Sequence, residues 1–191
     1  MVISMNLFRK LLAITTLAIT LLALSTPALS QTAGMPNISP TPEAGTISNA
    51  GLITVEQSHR DIMTILMGMN ETNTAKSMIV TGGVDRVLSR GTHTVFVPGE
   101  TAIRELDADR EQISALTNDM QTANQTMQGL ITDGMVMPAD MARGKTITML
   151  NGKTLSASSK DGTLMLDGAR ITRAIQATNG MIYVIDSMPG R

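Results

Sequence analysis

The sequence contains no cysteine and no tryptophan, and it has only two histidines, two phenylalanines and one tyrosine. Without cysteine the chain can form no disulfide, carry no lipoprotein-type lipid anchor and perform no thiol chemistry. Beyond position 30 the only aromatic residues are Phe96 and Tyr183. The formal net charge is −1 and the Lys and Arg residues form no cluster. This composition argues against a nucleic-acid partner, which requires basic patches and often stacking aromatics.

The sequence also lacks the motifs of enzymes and of metal sites. His59 and His93 are the only histidines, whereas a metal site needs three or four convergent ligands. We interpret both as solvent-accessible loop residues and expect neither a metal nor a cofactor. No Gly-x-Ser-x-Gly nucleophile turn occurs, and Gly82-Gly83 is not followed by the Lys-Ser or Lys-Thr of a phosphate-binding loop. We therefore predict that the protein is not an enzyme.

The first thirty residues have the three parts of an export signal. Arg9 and Lys10 are basic, residues 11–24 form an uncharged apolar run, and Ala28-Leu29-Ser30 offers the small residues of a cleavage site. The alternative is a transmembrane anchor, but the run is shorter than the roughly 20 residues that span a bilayer. We expect cleavage after Ser30 and an exported protein, periplasmic or secreted, with no membrane span afterwards.

The mature chain is expected to hold one domain. Residues 31–50 carry three prolines among Ser, Thr and Gly, and they have too little apolar surface to offset their ordering entropy. We predict a flexible linker at 31–50, a lead-in helix at 51–60 and a single domain at 61–191, which is a common size for one domain.

Hydrophobic periodicity predicts a helical first half. Residues 52–69 are predicted to be helical because Ile62, Ile65, Leu66 and Met69 recur at the spacing of one helix face. A strand is predicted at 94–97, ending at Pro98. Further helices are predicted from about residue 74 to Gly82-Gly83, at 84–88, at 102–106, around 113–116, and from Met120 up to Gly134.

From Lys145 onward the apolar residues alternate with period two, which is typical of strands. Four Asn-Gly or Asp-Gly pairs, beginning at Asn151, Asp161, Asp167 and Asn179, predict tight turns between antiparallel strands. A helical first half and a β-rich second half predict an α+β fold, in which helices pack on antiparallel hairpins arranged as a β-sandwich or wedge.

Three segments resemble a known family. Residues 94–103 read Thr-Val-Phe-Val-Pro-Gly-Glu-Thr-Ala-Ile, residues 149–155 read Met-Leu-Asn-Gly-Lys-Thr-Leu, and residues 177–186 read Ala-Thr-Asn-Gly-Met-Ile-Tyr-Val-Ile-Asp. In this order they resemble the signature segments of the fasciclin-like domain family, and the resemblance covers about residues 61–189. It implies that the matched residues hold the fold. These residues are Thr94, Phe96, Pro98, Asn151, Gly152, Asn179, Gly180, Tyr183 and Asp186.

The chain departs from the family pattern in several places. Gly99 and Glu100 replace a Thr-Asp pair, and Tyr183 stands where His is common. Residues 129–134 lack the Tyr-His pair that is tied to adhesion in animal matrix members, and residues 172–176 keep only one residue of a cell-binding Glu-Pro-Asp-Ile-Met motif. Integrin-type recognition is therefore not expected.

Charged residues and methionines outside these segments allow several interpretations. Asp186 is expected to be held by Arg170 or Arg173, and the mixed charges of residues 104–111 to form a solvated helix surface. The methionines can be core filler, line a pliable apolar groove, or bind Cu(I) through their thioethers. They form two clusters, Met63, Met67 and Met69, and Met135, Met137 and Met141.

Export without cysteine favours a bacterial protein, and together with the resemblance it predicts an exported, single-domain member of the family. Such a protein would be a non-enzymatic adhesion or interaction module that binds a cell-surface, matrix or envelope component, either protein or glycan. The alternative is a carrier that holds a small apolar ligand, such as a carotenoid-like pigment, in a methionine-rich groove. Copper handling by the methionine clusters is a third hypothesis.

Overall fold

A computed structural model describes residues 46–49, 53–106 and 110–190. The predicted signal at 1–30 lies outside these residues. The strands of the described part are β1 (Thr46–Asn49), β2 (Ile53–Gln57), β3 (His93–Pro98), β4 (Ile131–Asp133), β5 (Thr146–Thr148), β6 (Thr154–Lys160), β7 (Thr163–Leu166), β8 (Ala169–Ala177) and β9 (Gly180–Ile185). Its helices are α1 (Ile62–Gly68), α2 (Asn73–Thr81), α3 (Asp85–Leu88), α4 (Glu100–Leu106), α5 (Arg110–Asn118), α6 (Met120–Gln128) and α7 (Pro138–Ala142), with a 3₁₀ turn at Asn70–Thr72. None of these helices combines the length and hydropathy needed to cross a bilayer.

The strands form one mixed sheet that nearly closes on itself. The order is β4-β3-β9-β8-β7-β6-β5, and β2 also pairs with β8 while β1 pairs with β2. The consecutive strands from β5 to β9 pair as antiparallel hairpins, whereas β3 pairs in parallel with β9, and β2 in parallel with β8. The α+β fold, with helices in the first half and a β-rich second half, is confirmed.

Two of the predicted turns have the backbone that their sequence favours. Asp161 and Gly162 have φ values of 51° and 78°, and Asp167 and Gly168 have values of 48° and 92°. Positive φ at both central residues is the signature of a type I′ turn, whose twist matches that of the flanking strands. These turns connect β6 to β7 and β7 to β8.

The core combines buried residues of α1, α2 and α6 with those of the strands β3 and β9. Every residue of β3 and of β9 is buried, so both strands are covered on both faces. Met78 and Ile79 of α2 are fully buried, and so are Ala123 and Met127 of α6. Methionine therefore fills space that phenylalanine and tryptophan occupy in other cores.

Aspartates start two of these helices. The Asp61 carboxylate accepts a hydrogen bond from Thr64 N at 2.8 Å, and the Asp119 carboxylate accepts one from Thr122 N at 2.6 Å. Each bond satisfies a backbone N–H that has no partner within the helix. The same bonds favour the ionised form and lower the pKa of both carboxyl groups.

Two predictions at the start of the domain are wrong. The lead-in helix predicted at 51–60 is a strand, β2, and the helix predicted over 52–69 is confined to α1. Val55 of β2 pairs with Ala174, so the segment takes its conformation from a distant partner. The flexible linker predicted at 31–50 is contradicted at Thr46–Asn49, which forms β1. The remainder of that linker lies outside the described residues.

The helical stripe predicted up to Gly134 ends earlier. Helix α6 stops at Gln128, and Ile131–Asp133 forms β4 on the edge of β3. Leu130 and Ile131 are buried, as an inward helix face would require, so burial alone could not distinguish the two conformations. A strand of three residues gives too short a pattern for its period to be recognised.

The junction before β9 joins three elements through Asn179 and Gly180. Asn179 Oδ1 accepts a hydrogen bond from the first backbone N–H of α1, on Ile62, at 2.8 Å. Asn179 Nδ2 donates to the last carbonyl of α3, on Leu88, also at 2.8 Å. Gly180 has a φ of 148°, and a Cβ there would overlap the backbone carbonyl of His93 on β3. The Asn-Gly pair is therefore a tertiary contact as well as a turn.

We expect Gly180→Ala to destabilise the protein by at least about 4 kcal/mol, or to prevent folding, because the β3 backbone would have to move away from β9. Gly134→Ala is the matched control, since Gly134 also has positive φ, 81°, but has open space around it. That change should cost only the conformational strain of about 1–2 kcal/mol. Urea unfolding of both variants measures the difference, and equal losses would show that the close approach at Gly180 is unimportant.

Candidate functional site

Two signature aromatics are stacked in the centre of the sheet. Phe96 of β3 and Tyr183 of β9 are fully buried, with ring centroids 5.4 Å apart and planes 15° apart. Tyr183 Oη donates a hydrogen bond of 2.7 Å to the carbonyl of Val136. Burial, with a smaller effect of Asp140, raises the pKa of Tyr183 well above its usual value. At neutral pH the hydroxyl is therefore a neutral donor that anchors the segment after β4.

Thr94, another signature residue, fixes the same segment. Its Oγ1 donates to the carbonyl of Gly134 at 2.8 Å and accepts from Val136 N at 2.9 Å. Both bonds lie in the interior, where a hydroxyl without partners would be costly. The signature residue Pro98 ends β3, opposite Ile185 of β9. The polar atoms of Thr94 and Tyr183 are thus directed at the chain itself and not at solvent.

Gly99 and Glu100, the two residues after Pro98, differ from the family pattern, and Glu100 has a structural role. Glu100 Oε1 accepts a hydrogen bond from Thr74 N at 2.8 Å, near the start of α2, and its other oxygen lies 3.2 Å from Thr74 Oγ1. A carboxylate at this position satisfies an N–H of the first turn and interacts favourably with the helix dipole. Glu100 thus joins the end of β3 to α2.

Asn151 and Gly152 form an exposed turn between β5 and β6. Asn151 Oδ1 accepts from Lys153 N at 3.0 Å, which is an Asx-type turn, and Gly152 has a φ of 81°. A Cβ on Gly129 would lie 2.7 Å from Asn151 Nδ2, so the turn packs closely on the end of α6. Of the signature residues, this pair is the most accessible to a partner.

Asp186 is held by Arg170, one of its two predicted partners. Arg170 Nε donates to Asp186 Oδ2 at 2.9 Å, and Arg170 N donates to Oδ1 at 3.0 Å. The two bonds fasten the end of β9 to the start of β8. Because this pair is partly exposed, it adds little to the free energy of unfolding. Its main effect is to fix the register of β9 against β8.

Arg173, the other predicted partner of Asp186, belongs to a cluster that the sequence did not predict. It makes two bonds of 2.7 Å to the Glu56 carboxylate and one of 2.7 Å to Glu71 Oε1. An irregularity in the β8–β9 pairing between Ile171 and Arg173 changes which residues face outward. The Arg173 bonds lower the pKa of Glu56, and the two carboxylates raise the pKa of Arg173. Glu56 and Arg173 are 117 positions apart, so no local pattern could have revealed the cluster.

The two histidines have different environments, and one prediction is wrong. His59 is exposed, as predicted, but His93 is buried, with 7 % of its surface exposed. His93 Nε2 contacts the carbonyl of Arg90, and Nδ1 lies 3.1 Å from Asp133 Oδ1 without hydrogen-bond geometry. His93 is buried because it starts β3, where β4 and β9 flank it.

The methionines within each cluster differ in how far their side chains are exposed. In the first cluster Met67 is half exposed, Met63 is partly buried and Met69 is buried. In the second, Met141 is fully buried while Met135 is exposed. Within the described residues no group of three or more His, Asp or Glu is arranged to hold a metal ion.

The described surface includes three clefts. The Asn151 cleft, of about 790 Å³, lies between the end of α6, the β5–β6 turn and residues 188–190. The Arg173 cleft, of about 640 Å³, lies between residues 57–60 and the end of α1. The β4–β5 cleft, of about 490 Å³, lies between the strands that give it its name. All three are open and lined by both polar and apolar side chains.

Comparison with known proteins identifies the family. The family model described as the fasciclin domain matches residues 70–188, more than half of the chain. The chain belongs to the fasciclin domain family. Fasciclin domains are typically non-catalytic binding modules, and the family is associated with adhesion and interaction.

Two known proteins are similar to this fasciclin domain. An uncharacterized protein of the cyanobacterium Synechocystis sp. (strain ATCC 27184 / PCC 6803 / Kazusa) is 28 % identical over 105 residues, which are 55 % of this chain and 77 % of the relative. A solved fasciclin domain pair from the insect cell adhesion molecule fasciclin I is 16 % identical, with a TM-score of 0.49. That match covers 63 % of this chain and 46 % of the solved chain, so this chain spans about half the length of that structure.

Residues 129–134 of the fasciclin domain, which lack the Tyr-His pair, contribute to the fold. Leu130, Ile131 and Thr132 are buried, and Thr132 Oγ1 donates to the carbonyl of Thr148 at 2.7 Å. The segment thereby becomes β4, the strand at one end of the sheet. The side chains of these three residues are therefore not available to a partner, whereas that of Asp133 is exposed.

We expect the stability of the fasciclin domain to fall at alkaline pH because of Tyr183. Its folded pKa is raised, so the unfolded state loses the proton first, above the usual pKa of about 10. The free energy of unfolding should then fall by about 1.4 kcal/mol per pH unit until the folded pKa is reached. Tyr183 is the only tyrosine, so its near-ultraviolet absorbance should show tyrosinate only as the domain unfolds.

Tyr183→Phe is the control for this alkaline loss. It should lower stability by about 1–3 kcal/mol at neutral pH, since the Val136 carbonyl loses its donor, but it should remove the additional loss above pH 10. Ionisation of Tyr183 at its ordinary pKa in the folded domain would contradict the buried environment.

A double-mutant cycle of Arg173→Met and Glu56→Gln should give a coupling energy of about 1 kcal/mol at neutral pH, because the bidentate pair is partly exposed and screened. The pKa of Glu56 is lowered, so this contribution is present above its unfolded pKa and is lost as pH falls through the folded pKa. The same cycle on Arg170 and Asp186 is the comparison. Coupling that does not change with pH would exclude the ion pair as its source.

Proposed function

We propose that this protein is an exported, non-enzymatic interaction module that binds a component of the cell surface, matrix or envelope. The family is associated with adhesion and interaction, which gives the coarse function. The signal-like residues 1–30 and the polar stretch that follows add export and a periplasmic or extracellular location. The mature protein would begin at Gln31 and act without changing its partner covalently.

The observation that carries the proposal is that the polar chemistry of the signature segments is used inside the domain. Thr94, Tyr183 and Asn179 direct their polar atoms at backbone groups of the chain. The shifted pKa values have structural causes as well, namely helix caps, one ion-pair cluster and one buried ring. Catalytic groups would instead be shifted and directed into a cleft.

The open clefts suit a polar, extended partner. Gln125, Asn151 and Lys153 line the Asn151 cleft beside the apolar residues Leu155 and Met188. Such surroundings can hydrogen-bond to the backbone of a peptide or to the hydroxyls of a glycan while excluding some water. A protein or glycan of the surface or matrix is therefore the partner class that we propose.

The carrier of a small apolar ligand remains the second candidate because of the Arg173 cleft. Ile65 and Met69 line it beside the cation of Arg173, so an apolar molecule with one polar end has contacts there. Its small-molecule ligand would travel with the purified protein, whereas a surface component would be left behind in the envelope.

The proposal is tested by binding of the mature protein to envelope and matrix fractions of the source cells. Fractions are used intact, after protease digestion, and after periodate oxidation of glycans. We expect saturable binding that one of the two treatments abolishes, which also identifies the partner class. Absence of binding to every intact fraction would contradict the proposal.

Two further measurements separate the alternatives. The mass of the natural protein should correspond to a chain that begins at Gln31, and a chain that retains residues 1–30 would contradict cleavage after Ser30. Native mass spectrometry should give the bare polypeptide. A discrete added mass, coloured if the ligand is a pigment, would favour the carrier instead.

A further inference from the structure

The sequence contains the pair Asn-Gly twice, and the fold places the two pairs in opposite environments. Asn151-Gly152 is the exposed turn between β5 and β6. Asn179-Gly180 is the junction before β9, where Asn179 is half-buried and Gly180 is buried. An asparagine amide is chemically labile in water, most of all before glycine, because no side chain on the next residue shields its backbone nitrogen. The same reaction therefore meets two different surroundings in one fold.

The reaction of an Asn-Gly pair in water is an intramolecular attack on the asparagine side chain. The backbone nitrogen of the glycine attacks Cγ of the asparagine and gives its proton to water. The bond between Cγ and Nδ2 breaks, and Nδ2 takes up a proton and leaves as ammonia. Water then opens the resulting succinimide ring at either carbonyl, which yields aspartate or isoaspartate. In sum, an amide and water become a carboxylic acid and ammonia, without oxidant, reductant or cofactor.

At Asn151 the side chain is held over the next peptide. Asn151 Oδ1 accepts a hydrogen bond from Lys153 N at 3.0 Å, so the side chain folds towards the Gly152 nitrogen. The same bond polarises the side-chain carbonyl and directs a donor at the oxygen that gains negative charge when Cγ is attacked. Asn151 Nδ2 lies 3.5 Å from the Gln125 carbonyl, which is too long for a strong hydrogen bond. The leaving group is therefore weakly held.

One hydrogen bond opposes the attack on Asn151. Gly152 N donates to the Met149 carbonyl at 2.9 Å, and this bond has to open before the nitrogen can attack. Asn151, Gly152 and Lys153 are all exposed, and a Cβ on Gly152 would meet no atom of the described residues within 4 Å. A turn that is exposed in this way opens locally at a small cost in free energy. The folded state therefore slows the reaction at Asn151 only slightly.

At Asn179 the fold opposes the same reaction. Its Oδ1 accepts from Ile62 N and its Nδ2 donates to the Leu88 carbonyl, both at 2.8 Å, so the side chain is directed at α1 and α3 and not at its own next peptide. The Asn179 carbonyl accepts from His93 N at 3.1 Å, and Gly180 is enclosed against the β3 backbone. Attack here requires that two helices and the parallel ladder separate at this point, which is an opening close to global unfolding.

We propose that Asn151 is a site of self-modification, at which the folded protein converts the neutral side-chain amide into a carboxylate while Asn179 stays intact. The product lines the Asn151 cleft, which Lys153 and Asp167 also line. It adds one negative charge to a chain whose formal net charge is −1. The charge of this cleft thereby changes with the age of the molecule. The inference goes beyond the proposed interaction function and requires no partner.

The new carboxylate also weakens the contact of the β5–β6 turn with α6. A carboxylate oxygen takes the place of Nδ2, so that two acceptors, this oxygen and the Gln125 carbonyl, face each other. Lys153 N keeps its acceptor when the product is aspartate, and the turn is then retained. Isoaspartate instead lengthens the backbone by one carbon within the turn that sets the pairing of Thr148 with Thr154.

The test is peptide mapping by mass spectrometry after incubation of the purified protein at mildly alkaline pH, folded in buffer or unfolded in guanidinium chloride. In the folded protein we expect the gain of one mass unit at Asn151 to be at least about tenfold faster than at Asn179. In the unfolded protein the two sites should react at similar rates, since both are Asn-Gly pairs. Asn151→Asp supplies the chromatographic standard for the aspartate product. Equal rates in the folded protein, or a gain at neither site, would overturn the proposal.

Two glycine variants separate the local attack from a loss of stability. Gly152→Ala places a methyl group beside the attacking nitrogen and should slow the modification of Asn151 severalfold. Gly134→Ala is the matched control, because both glycines have a φ of 81° and open space around them, but Gly134 follows an aspartate. It should leave the rate at Asn151 unchanged. Equal slowing in the two variants would contradict the local mechanism.

Asn151→Gln provides a second test that keeps Gly152 and its turn. The longer side chain has to close a larger ring to form the imide, so the mass gain at this position should be lost. Circular dichroism checks that each variant is folded. A mass gain that persists at position 151 in this variant at the original rate would overturn the proposal.

Discussion

The parallel pairing of β3 with β9 depends on one close backbone approach, that of Gly180 to the carbonyl of His93. No other residue type fits there, because a side chain would occupy the space of the carbonyl. Asn179, the residue before it, holds α1 and α3 at the same place. Six residue pairs of the central ladder follow from this contact, and the stacked rings of Phe96 and Tyr183 lie three residues along it.

The parallel ladder explains why the polar signature residues are used internally. Strands β3 and β9 are buried on both faces, so each polar group near them requires a partner within the chain. Thr94 and Tyr183 find theirs in the segment after β4, and that segment is thereby held against the sheet. The polar groups of Thr94 and Tyr183 are therefore not available to a partner.

Local signals in the sequence predicted the second half of the fold well. The Asn-Gly and Asp-Gly pairs mark turns through their own backbone preferences, and the strands between them alternate in burial as their sequence does. The buried nature of β3 and β9 was equally readable from their continuous apolar runs. By contrast, the local sequence of β2 favours a helix, and the segment is a strand because it pairs with β1 and with the distant strand β8.

The candidate sites were less predictable, because they too depend on contacts between residues that are distant in the sequence. The sequence indicates Arg173 as a partner for the carboxylate of Asp186, yet its actual partners, Glu56 and Glu71, lie more than a hundred positions away. The β4–β5 cleft lies between two strands that do not pair with each other and that a helix and a turn separate in the sequence. No periodicity within either strand encodes the separation between β4 and β5. The sequence around His93 is typical of a loop, because the burial of His93 comes from neighbouring strands and not from its own segment.

The methionine-filled core has a chemical consequence. Met78, Met127, Met141 and Met181 are fully enclosed, whereas Met67 and Met120 are open to solvent. Oxidation converts a thioether into a polar sulfoxide, which the enclosed sites could not accommodate without disrupting their packing. The folded domain therefore shields its own core from oxidants, and its exposed methionines can react first. Each transient opening of the sheet would put that protection, and with it reversible refolding, at risk.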